Sequence, residues 1–290
     1  MFIIFWYIDS SFSLSRVYPM KTYFTLLLFL GIVIQSAYSQ TTYYTFQTGN
    51  LTDANIWTTD PSGTLLLGSV TPTATEHIVI LNGRTITISI NTRTFASVTI
   101  QEGGTIDIGT TTGHNFTTVT GRGTLILSSA TVPNGTFTDF YSATGGTMEF
   151  SGTTNYNLPN LGTIRNLTIS GTGIKSMVNN WTILEDLQIN NDTLRIGNNN
   201  TSRTITINGD VTLASGAVWD VRNGNNPLHQ INLYGSLFNN GGTVDFINSA
   251  LNYTGNPTNG SAILNMLGTS NEEIVADGVI ELNRLIINKG

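Results

Sequence analysis

The chain of 290 residues is 39% hydrophobic, has only 10% charged residues and contains no cysteine. It is too apolar and too weakly charged to be a disordered protein, and without thiols it has no disulfide framework, iron–sulfur cluster or cysteine nucleophile. The formal net charge is -6, and the 12 Lys and Arg residues are scattered singly. No basic patch is therefore available for a nucleic-acid backbone, and we expect no nucleic-acid partner.

The first pattern along the chain is an export signal. Lys21 precedes an apolar run at 24–34, and a stretch of small residues ends at Ser39, directly before Gln40. This order is typical of a secretory signal peptide that is cleaved between Ser39 and Gln40. The apolar run is shorter than the roughly 20 residues that a membrane-spanning helix needs. We therefore expect a secreted or cell-surface protein with no membrane insertion after cleavage.

The composition of the whole sequence is that of an all-β protein. It has 46 Thr, which favours strands, and 32 Asn and 30 Gly, which favour tight turns. Of these, 31 Thr precede residue 151, whereas 26 Asn follow residue 150. This shift divides the chain after the signal peptide into a first region at 40–150 and an Asn-rich repeat region at 151–290. Met20 starts a complete signal sequence, so we interpret 20–39 as the signal peptide and 1–19 as a start-site artefact.

One hexapeptide recurs along the mature chain. Two glycines and a threonine are followed by apolar, acidic and apolar residues at 103–108, 145–150 and 241–246, and a looser copy occupies 216–221. Successive side chains of a strand face opposite sides. Each copy therefore predicts two inward apolar side chains and one outward carboxylate.

The apolar positions also repeat at fixed offsets. Strands with a Leu-x-Ile core lie at 167–169 and again at 187–189, and we call this spacing the short offset. A wider spacing of 26 residues separates Ile205 from Ile231, and we call it the long offset. The same offset aligns Ile207 with Leu233, Gly209 with Gly235, Val211 with Leu237, Gly216 with Gly242 and Val218 with Val244. A β-sandwich has no reason to repeat in this way, and a β-propeller repeats at the longer period of about 40–50 residues. We therefore predict an all-β fold, a right-handed parallel β-helix or β-solenoid.

Three segments carry a family resemblance. Segment 49–57 is a glycine and tryptophan lead-in, and 76–88 is an apolar strand, a glycine and an alternating strand. Together they resemble the opening of G8-type β-helical domains, and 161–290 is similar to the secreted surface proteins of Bacteroidota. The resemblance implies a cell-surface β-helix protein that travels by the type IX secretion pathway, with 40–150 as its G8-like region.

The end of the chain suggests a fragment. The sequence stops at Gly290 inside a repeat, and Leu282, Leu285 and Ile287 have no polar or helical cap after them. We expect the repeats to continue beyond residue 290. Residues 40–290 expressed alone are expected to self-associate end to end, or to fray over the last turn.

Aromatic side chains are the candidate ligand contacts, because an exposed ring is a common platform for a sugar. We name Trp219, Trp181 and Tyr234 as candidate ligand-binding residues. Trp219 lies in the looser hexapeptide and is expected to face outward. Trp57, within the G8-like lead-in, is interpreted as a cap or core residue.

Other candidate chemistry is sparse, and we predict no metal site, no cofactor and no catalytic residue. The three histidines lie far apart, without the spacing of metal ligands. They are His77, His114 and His229. The hexapeptide carboxylates Asp107, Glu149 and Asp245 are candidates to stack on one outward face, for Ca²⁺ or for acid–base chemistry on a polysaccharide. The simpler interpretation is that they are solvated residues that discourage edge pairing.

Two functional interpretations remain open. The first is a non-catalytic extracellular β-helix, a stalk or adhesin that binds extracellular polysaccharide or cell-surface glycan through outward Thr and Asn side chains. The second is a polysaccharide-acting β-helix enzyme, a lyase or hydrolase. Fold alone does not decide between them. We expect a polyuronate-cleaving β-helix to cluster carboxylates with Arg or Lys, and the single basic residues of this sequence favour the non-catalytic interpretation.

Overall fold

The described chain is a stack of short β-strands. A computed structural model describes residues 40–222, 227–247 and 260–289. The expected start-site segment and signal peptide, with Ser39, lie outside these ranges, and Gln40 is the first described residue. From Thr41 onward the described residues belong to one compact unit.

The elements of the first part of the chain are, in order, β1 (Thr42–Thr45), β2 (Gly49–Asn50), the 3-10 helix η1 (Ala54–Ile56), β3 (Trp57–Thr58), β4 (His77–Ile80), β5 (Thr85–Thr87), β6 (Ser97–Ile100), β7 (Thr105–Asp107), β8 (Asn115–Gly121), β9 (Thr124–Leu127), β10 (Asn134–Thr136), the α-helix α1 (Thr138–Tyr141) and β11 (Thr147–Phe150).

The elements that follow are β12 (Tyr156–Asn157), β13 (Thr163–Ile164), β14 (Asn166–Ile169), β15 (Ile174–Met177), β16 (Trp181–Ile183), β17 (Leu187–Ile189), β18 (Thr193–Ile196), β19 (Thr204–Ile207), β20 (Val211–Leu213), β21 (Val218–Val221), β22 (Leu228–Leu233), β23 (Leu237–Asn239), β24 (Thr243–Asp245), β25 (Ser261–Met266), β26 (Ile274–Ala276), β27 (Val279–Glu281) and β28 (Arg284–Ile287).

These strands form four sheets in the described part of the chain. Sheet A has the order β10-β8-β6-β4-β1-β3, and sheet B has the order β2-β5-β7-β9-β11-β14-β17-β20-β23-β26. Sheet C has the order β12-β15-β18-β21-β24-β27, and sheet D has the order β13-β16-β19-β22-β25-β28. Strands of successive turns pair in parallel, as the pairing of β14 with β17 illustrates. The predicted all-β parallel β-helix is confirmed.

The number of strands per turn changes along the stack. From β4 to β9 the chain alternates between sheets A and B, whereas from β11 onward it passes through sheets B, C and D in turn. Sheet B alone continues through both parts, because β9 pairs directly with β11. Helix α1 lies at this change, where the side chain of Phe140 is fully buried. The shift in composition near residue 150 falls at the same place.

The core forms because alternate side chains of each strand point inward. In β7 the side chain of Ile106 is fully buried, and Ile108 directly after the strand is 1% exposed, whereas Asp107 between them is half-buried. One oxygen of Asp107 accepts the backbone N–H of Gly109 at 2.9 Å. The inward and outward assignment of this hexapeptide is confirmed.

The predicted offsets describe the strand register in sheets B and D. The short offset places Leu167 opposite Leu187 in sheet B. The long offset places Ile205 opposite Ile231 in sheet D, and it also holds for the pairing of Val211 with Leu237 in sheet B. Apolar residues of successive turns therefore stack directly on one another inside the solenoid.

The lead-in segment 49–57, together with β1, closes the first turn of the described chain. Strand β3 pairs with β1 antiparallel, and β1 pairs with β4 parallel. The indole Nε1 of Trp57 donates a hydrogen bond to the carbonyl of Leu51 at 3.0 Å, and both side chains are fully buried. The interpretation of Trp57 as a cap or core residue is confirmed.

Candidate binding surface

A column of hydroxyl and amide side chains follows the outer face of sheet D. Parallel pairing keeps equivalent residues of successive turns in register, at a strand separation of about 4.8 Å. The column consists of Thr163, Thr182, Thr206, Asn232 and Asn265, and we call it the sheet D ladder. The neighbouring Ile183 and Ile207 are fully buried, so the ladder side chains point away from the core.

The far end of the sheet D ladder is fixed by side-chain hydrogen bonds. Nδ2 of Asn265 donates to Oδ1 of Asn232 at 2.9 Å and to Oε1 of Gln230 at 3.1 Å. Amides and hydroxyls each offer both a donor and an acceptor. The ladder therefore presents one polar group per turn, in a straight row parallel to the stacking direction.

A second column lies on the outer face of sheet B. It consists of Thr85, Thr105, Thr124, Thr147 and Asn166, and we call it the sheet B ladder. Nδ2 of Asn166 lies 3.4 Å from Oγ1 of Thr147, close to the limit of a hydrogen bond. The two ladders have similar chemistry on different faces, so each can serve as a control for the other.

The outer face of sheet C carries charges instead. Arg195, Asp220, Asp245 and Glu281 occupy consecutive rungs of one column, which we call the sheet C column. Arg195 donates two hydrogen bonds to Asp220, from Nε to Oδ1 at 2.8 Å and from Nη2 to Oδ2 at 2.5 Å. Arg195, Asp220 and Asp245 are spaced 25 residues apart, one residue fewer than the long offset, and Glu281 follows after 36 residues, so neither predicted offset aligns them.

The sheet C column perturbs the ionisation of Asp220. Burial raises the pKa of its carboxyl, and Asp245 raises it further, while the hydrogen bonds from Arg195 oppose both effects. The same hydrogen bonds raise the pKa of Arg195. Among the described residues, no group of three His, Asp or Glu side chains is arranged to hold a metal ion.

The three hexapeptide carboxylates do not all stack on one face, so the alternative of a shared site for Ca²⁺ or acid–base chemistry is wrong. Asp107 and Glu149 lie in the same outward column of sheet B, but Ile126 stands between them. Asp245 lies on sheet C. The first two copies lie on sheet B, on either side of the change from two to three strands per turn, whereas the third copy lies on sheet C.

Trp219 is buried, contrary to the expectation that it faces outward. The long offset would align Val218 with Val244. In sheet C the spacing between paired residues is one residue shorter than the long offset, so that Val218 pairs with Thr243 and Trp219 pairs with Val244. A slip of one residue moves every side chain to the opposite face of a strand. The indole therefore enters the core and has no free face for a sugar.

The other two aromatic candidates have different outcomes. Trp181 is only 1% exposed, because it stacks on the buried Ile205 inside sheet D, so it also has no face for a ligand. Tyr234 follows strand β22 and is 42% exposed. Tyr234 is therefore the one of the three that remains a candidate for ligand contact.

Two histidines connect successive turns. Nδ1 of His114 accepts the backbone N–H of Arg93 at 3.1 Å, and Nδ1 of His229 accepts that of Arg203 at 3.0 Å. Burial lowers the pKa of both imidazoles, with a further contribution from the respective arginine, and brings that of His229 to about 4. Both rings are therefore neutral acceptors at pH 7.

The core contains an ion pair that the sequence pattern does not predict. The Nζ atom of Lys175 lies 2.6 Å from Oδ2 of Asp192, and both side chains are fully buried. The alternation of apolar and polar residues in β15 does not predict the burial of Lys175, because the apolar Ile174 beside it is only half-buried. A hydrophobicity pattern places Ile174 inside and Lys175 outside, which is the reverse of what the strand does.

Comparisons with known proteins found no match among protein-family models, curated proteins or solved structures. Within the described ranges, no helix is long and apolar enough to cross a membrane. The proposals below therefore rest on the geometry of this chain.

Proposed function

We infer that the protein is a non-catalytic extracellular β-helix, a stalk or adhesin that binds polysaccharide or cell-surface glycan. The observation that carries this inference is the sheet D ladder, which spans five consecutive rungs. Its extracellular location rests on the signal-peptide pattern that ends at Ser39.

The sheet D ladder suits an extended carbohydrate chain. Each rung adds one hydroxyl or amide group, and each such group pairs with a sugar hydroxyl as donor or acceptor. Single contacts of this kind are weak, but contacts along one chain act together because the first raises the effective concentration for the next. Tyr234 lies directly after β22, the strand that carries Asn232, and its exposed ring adds an apolar contact at the edge of this surface.

The test is binding to insoluble cellulose, chitin and xylan, and to soluble alginate and pectin. The double variant Thr182→Val and Thr206→Val removes two adjacent hydroxyl groups from the sheet D ladder and keeps the side-chain shape. We expect wild-type protein to bind at least one of these polysaccharides, and the variant to bind it at least tenfold more weakly.

The matched control is the double variant Thr105→Val and Thr124→Val, which makes the same change in the sheet B ladder. It is expected to bind like wild type, and thermal unfolding of all three proteins checks that the solenoid is intact. Absence of binding to the whole panel, or equal weakening by both double variants, would contradict the proposal.

One observation favours the alternative, a polysaccharide-acting enzyme. The sheet C column aligns Arg195 with three carboxylates, of which Asp220 contacts it, and a polyuronate-cleaving β-helix is expected to cluster such groups. A carboxyl with a raised pKa, such as Asp220, is suited to act as a general acid, with a neighbouring carboxylate as base. Release of reducing or unsaturated ends from pectin or alginate, abolished by Asp220→Asn and Asp245→Asn, would establish this function in place of the first.

A further inference from the structure

Lys175 occupies a core position of the solenoid. Parallel pairing places it in the inward column of sheet C, directly opposite Leu194 on the next turn. The next two residues of that column, Trp219 and Val244, are fully buried and apolar. The ammonium group therefore sits where the rest of the column is hydrocarbon.

Three oxygen atoms surround the Nζ atom of Lys175. It donates hydrogen bonds to the carbonyl of Gly152 and, at 2.7 Å, to the carbonyl of Thr172. The third neighbour is Oδ2 of Asp192 at 2.6 Å. The ring of Tyr156 covers the group, with its centroid 5.4 Å from Nζ. Both members of the pair are thus shielded from water.

The other oxygen of Asp192 is also held in place. Oδ1 accepts the backbone N–H of Thr193 at 2.6 Å, so the carboxyl group has a fixed orientation toward Lys175. Its carbon lies at most one C–O bond further from Nζ than Oδ2 does. Reacting atoms that are held about 3–3.5 Å apart are in position to combine, and the 2.6 Å contact keeps Nζ next to the carboxyl group.

Burial makes the charges of the pair costly. A buried pair of charges loses the hydration that it has in water, and the attraction between the charges does not always compensate for that loss. Burial raises the pKa of Asp192, and its Oδ2 lies 2.6 Å from Nζ of Lys175. Transfer of one proton across this contact would give the amine and the protonated carboxyl that bond formation requires. The amine would keep N–H bonds to the carbonyls of Gly152 and Thr172, and the carboxyl group of Asp192 would be its third neighbour.

We propose that Lys175 and Asp192 join in a spontaneous intramolecular amide bond. Nζ of the neutral amine attacks Cγ of the protonated carboxyl, the Nζ–Cγ bond forms, and the Cγ–O bond to the hydroxyl breaks. One proton of the amine leaves with that hydroxyl as water. The overall reaction converts one ammonium and one carboxylate into one amide and one water, and it needs no other reactant.

The bond fastens neighbouring turns from the inside. Lys175 lies in β15, whereas Asp192 lies directly before β18 of the next turn, which pairs with β15 in sheet C. The amide nitrogen retains one proton for one of the two carbonyls. The link closes a covalent loop through the core and replaces two buried charges by a neutral group.

The direct test is the mass of the wild-type full chain after purification. We expect it to be one water lighter than the sequence of the same chain predicts. Trypsin should fail to cleave after Lys175, so that residues 166–195 appear as one peptide that lacks one water. Cleavage at Met177 with cyanogen bromide opens the loop, and the two pieces of that peptide should stay joined.

Variants locate the bond. Asp192→Asn is expected to lose ammonia instead of water, because the amide of Asn also has a leaving group, whereas Lys175→Arg should show no mass loss. Lys289, which pairs with Glu272 at a partly exposed site, is an internal control and should be cleaved normally by trypsin. A wild-type mass equal to that of the sequence, with normal cleavage after Lys175, would overturn the proposal.

Discussion

The indole ring of Trp219 stands edge-on to the ring of Phe246 in the next turn, with ring centroids 4.9 Å apart and an interplanar angle of 84°. This is a favourable aromatic geometry. The indole Nε1 has no hydrogen-bond partner among the described residues. The contact between Trp219 and Phe246 is therefore one of packing.

The first prediction follows from this packing. Trp219→Phe keeps an aromatic ring and removes an unpaired N–H group, so we expect it to lower the free energy of unfolding by less than about 1.5 kcal/mol. Trp219→Ala leaves a cavity and should cost about 3–5 kcal/mol. Urea unfolding curves measure both. Equal losses in the two variants would mean that the indole has a polar role.

The second prediction concerns acid. The pKa of buried His229 is about 4, below the ordinary value of 6.5, so the unfolded chain binds a proton more readily. The contribution of the neutral imidazole to the free energy of unfolding is fully present above pH 6.5 and is lost as the pH falls to about 4. The loss is about 3 kcal/mol, because one pKa unit corresponds to about 1.4 kcal/mol. Urea unfolding at several pH values should show a flatter profile for His229→Gln, and an identical profile would refute this role.

The third prediction tests the faces of a hexapeptide strand. Ile106→Asp places an unpaired carboxyl in the core and is expected to cost several kcal/mol. Asp107→Ser keeps a side-chain oxygen that can accept the N–H of Gly109, and should stay within about 0.5 kcal/mol of wild type. The two denaturation curves form a matched pair. Similar losses would mean that this strand does not have the described faces.

The fourth prediction compares two glycines with positive φ. Gly121 has φ of 104°, and a Cβ atom there would lie 2.0 Å from the carbonyl oxygen of Ile100. Gly83 has φ of 69° with open space around it. Gly83→Ala should therefore cost only the backbone strain of about 1–2 kcal/mol. Gly121→Ala should cost clearly more, and thermal unfolding would reveal a reversed order.

The fifth prediction concerns export. The pattern of small residues before Gln40 predicts that the exported protein begins at Gln40. N-terminal sequencing of protein recovered from the culture medium or the cell surface checks this. Recovery of a chain that still contains the apolar run 24–34 would contradict the secretion prediction.

Much of the fold was predictable because strand periodicity and repeat offsets are direct consequences of stacking. Ile205 and Ile231 are paired as the long offset indicated, and Ile106 and Asp107 have the faces that alternation requires. The register of sheet C was not predictable in this way. One residue fewer between β21 and β24 reverses the face of Trp219, and hydrophobicity cannot detect so small a change.

The candidate site was less accessible to sequence analysis. The sheet C column depends on residues in turns of unequal length, so that no single offset aligns Asp220, Asp245 and Glu281. The burial of Lys175 depends on contacts with Gly152 and Thr172, which belong to loops without a pattern of their own. The outward Thr columns, in contrast, follow from the same alternation that builds the core.

We expect the change from two to three strands per turn to divide the stack into two blocks that unfold separately. In a stack of turns, each turn is stabilised by its neighbours, so coupling between distant parts passes through every interface between them. At the junction, the four residue pairs between β9 and β11 form the one strand ladder described. Later turns are joined by three ladders each. Under tension or in denaturant, we therefore expect the junction to open first while the three-stranded block stays folded.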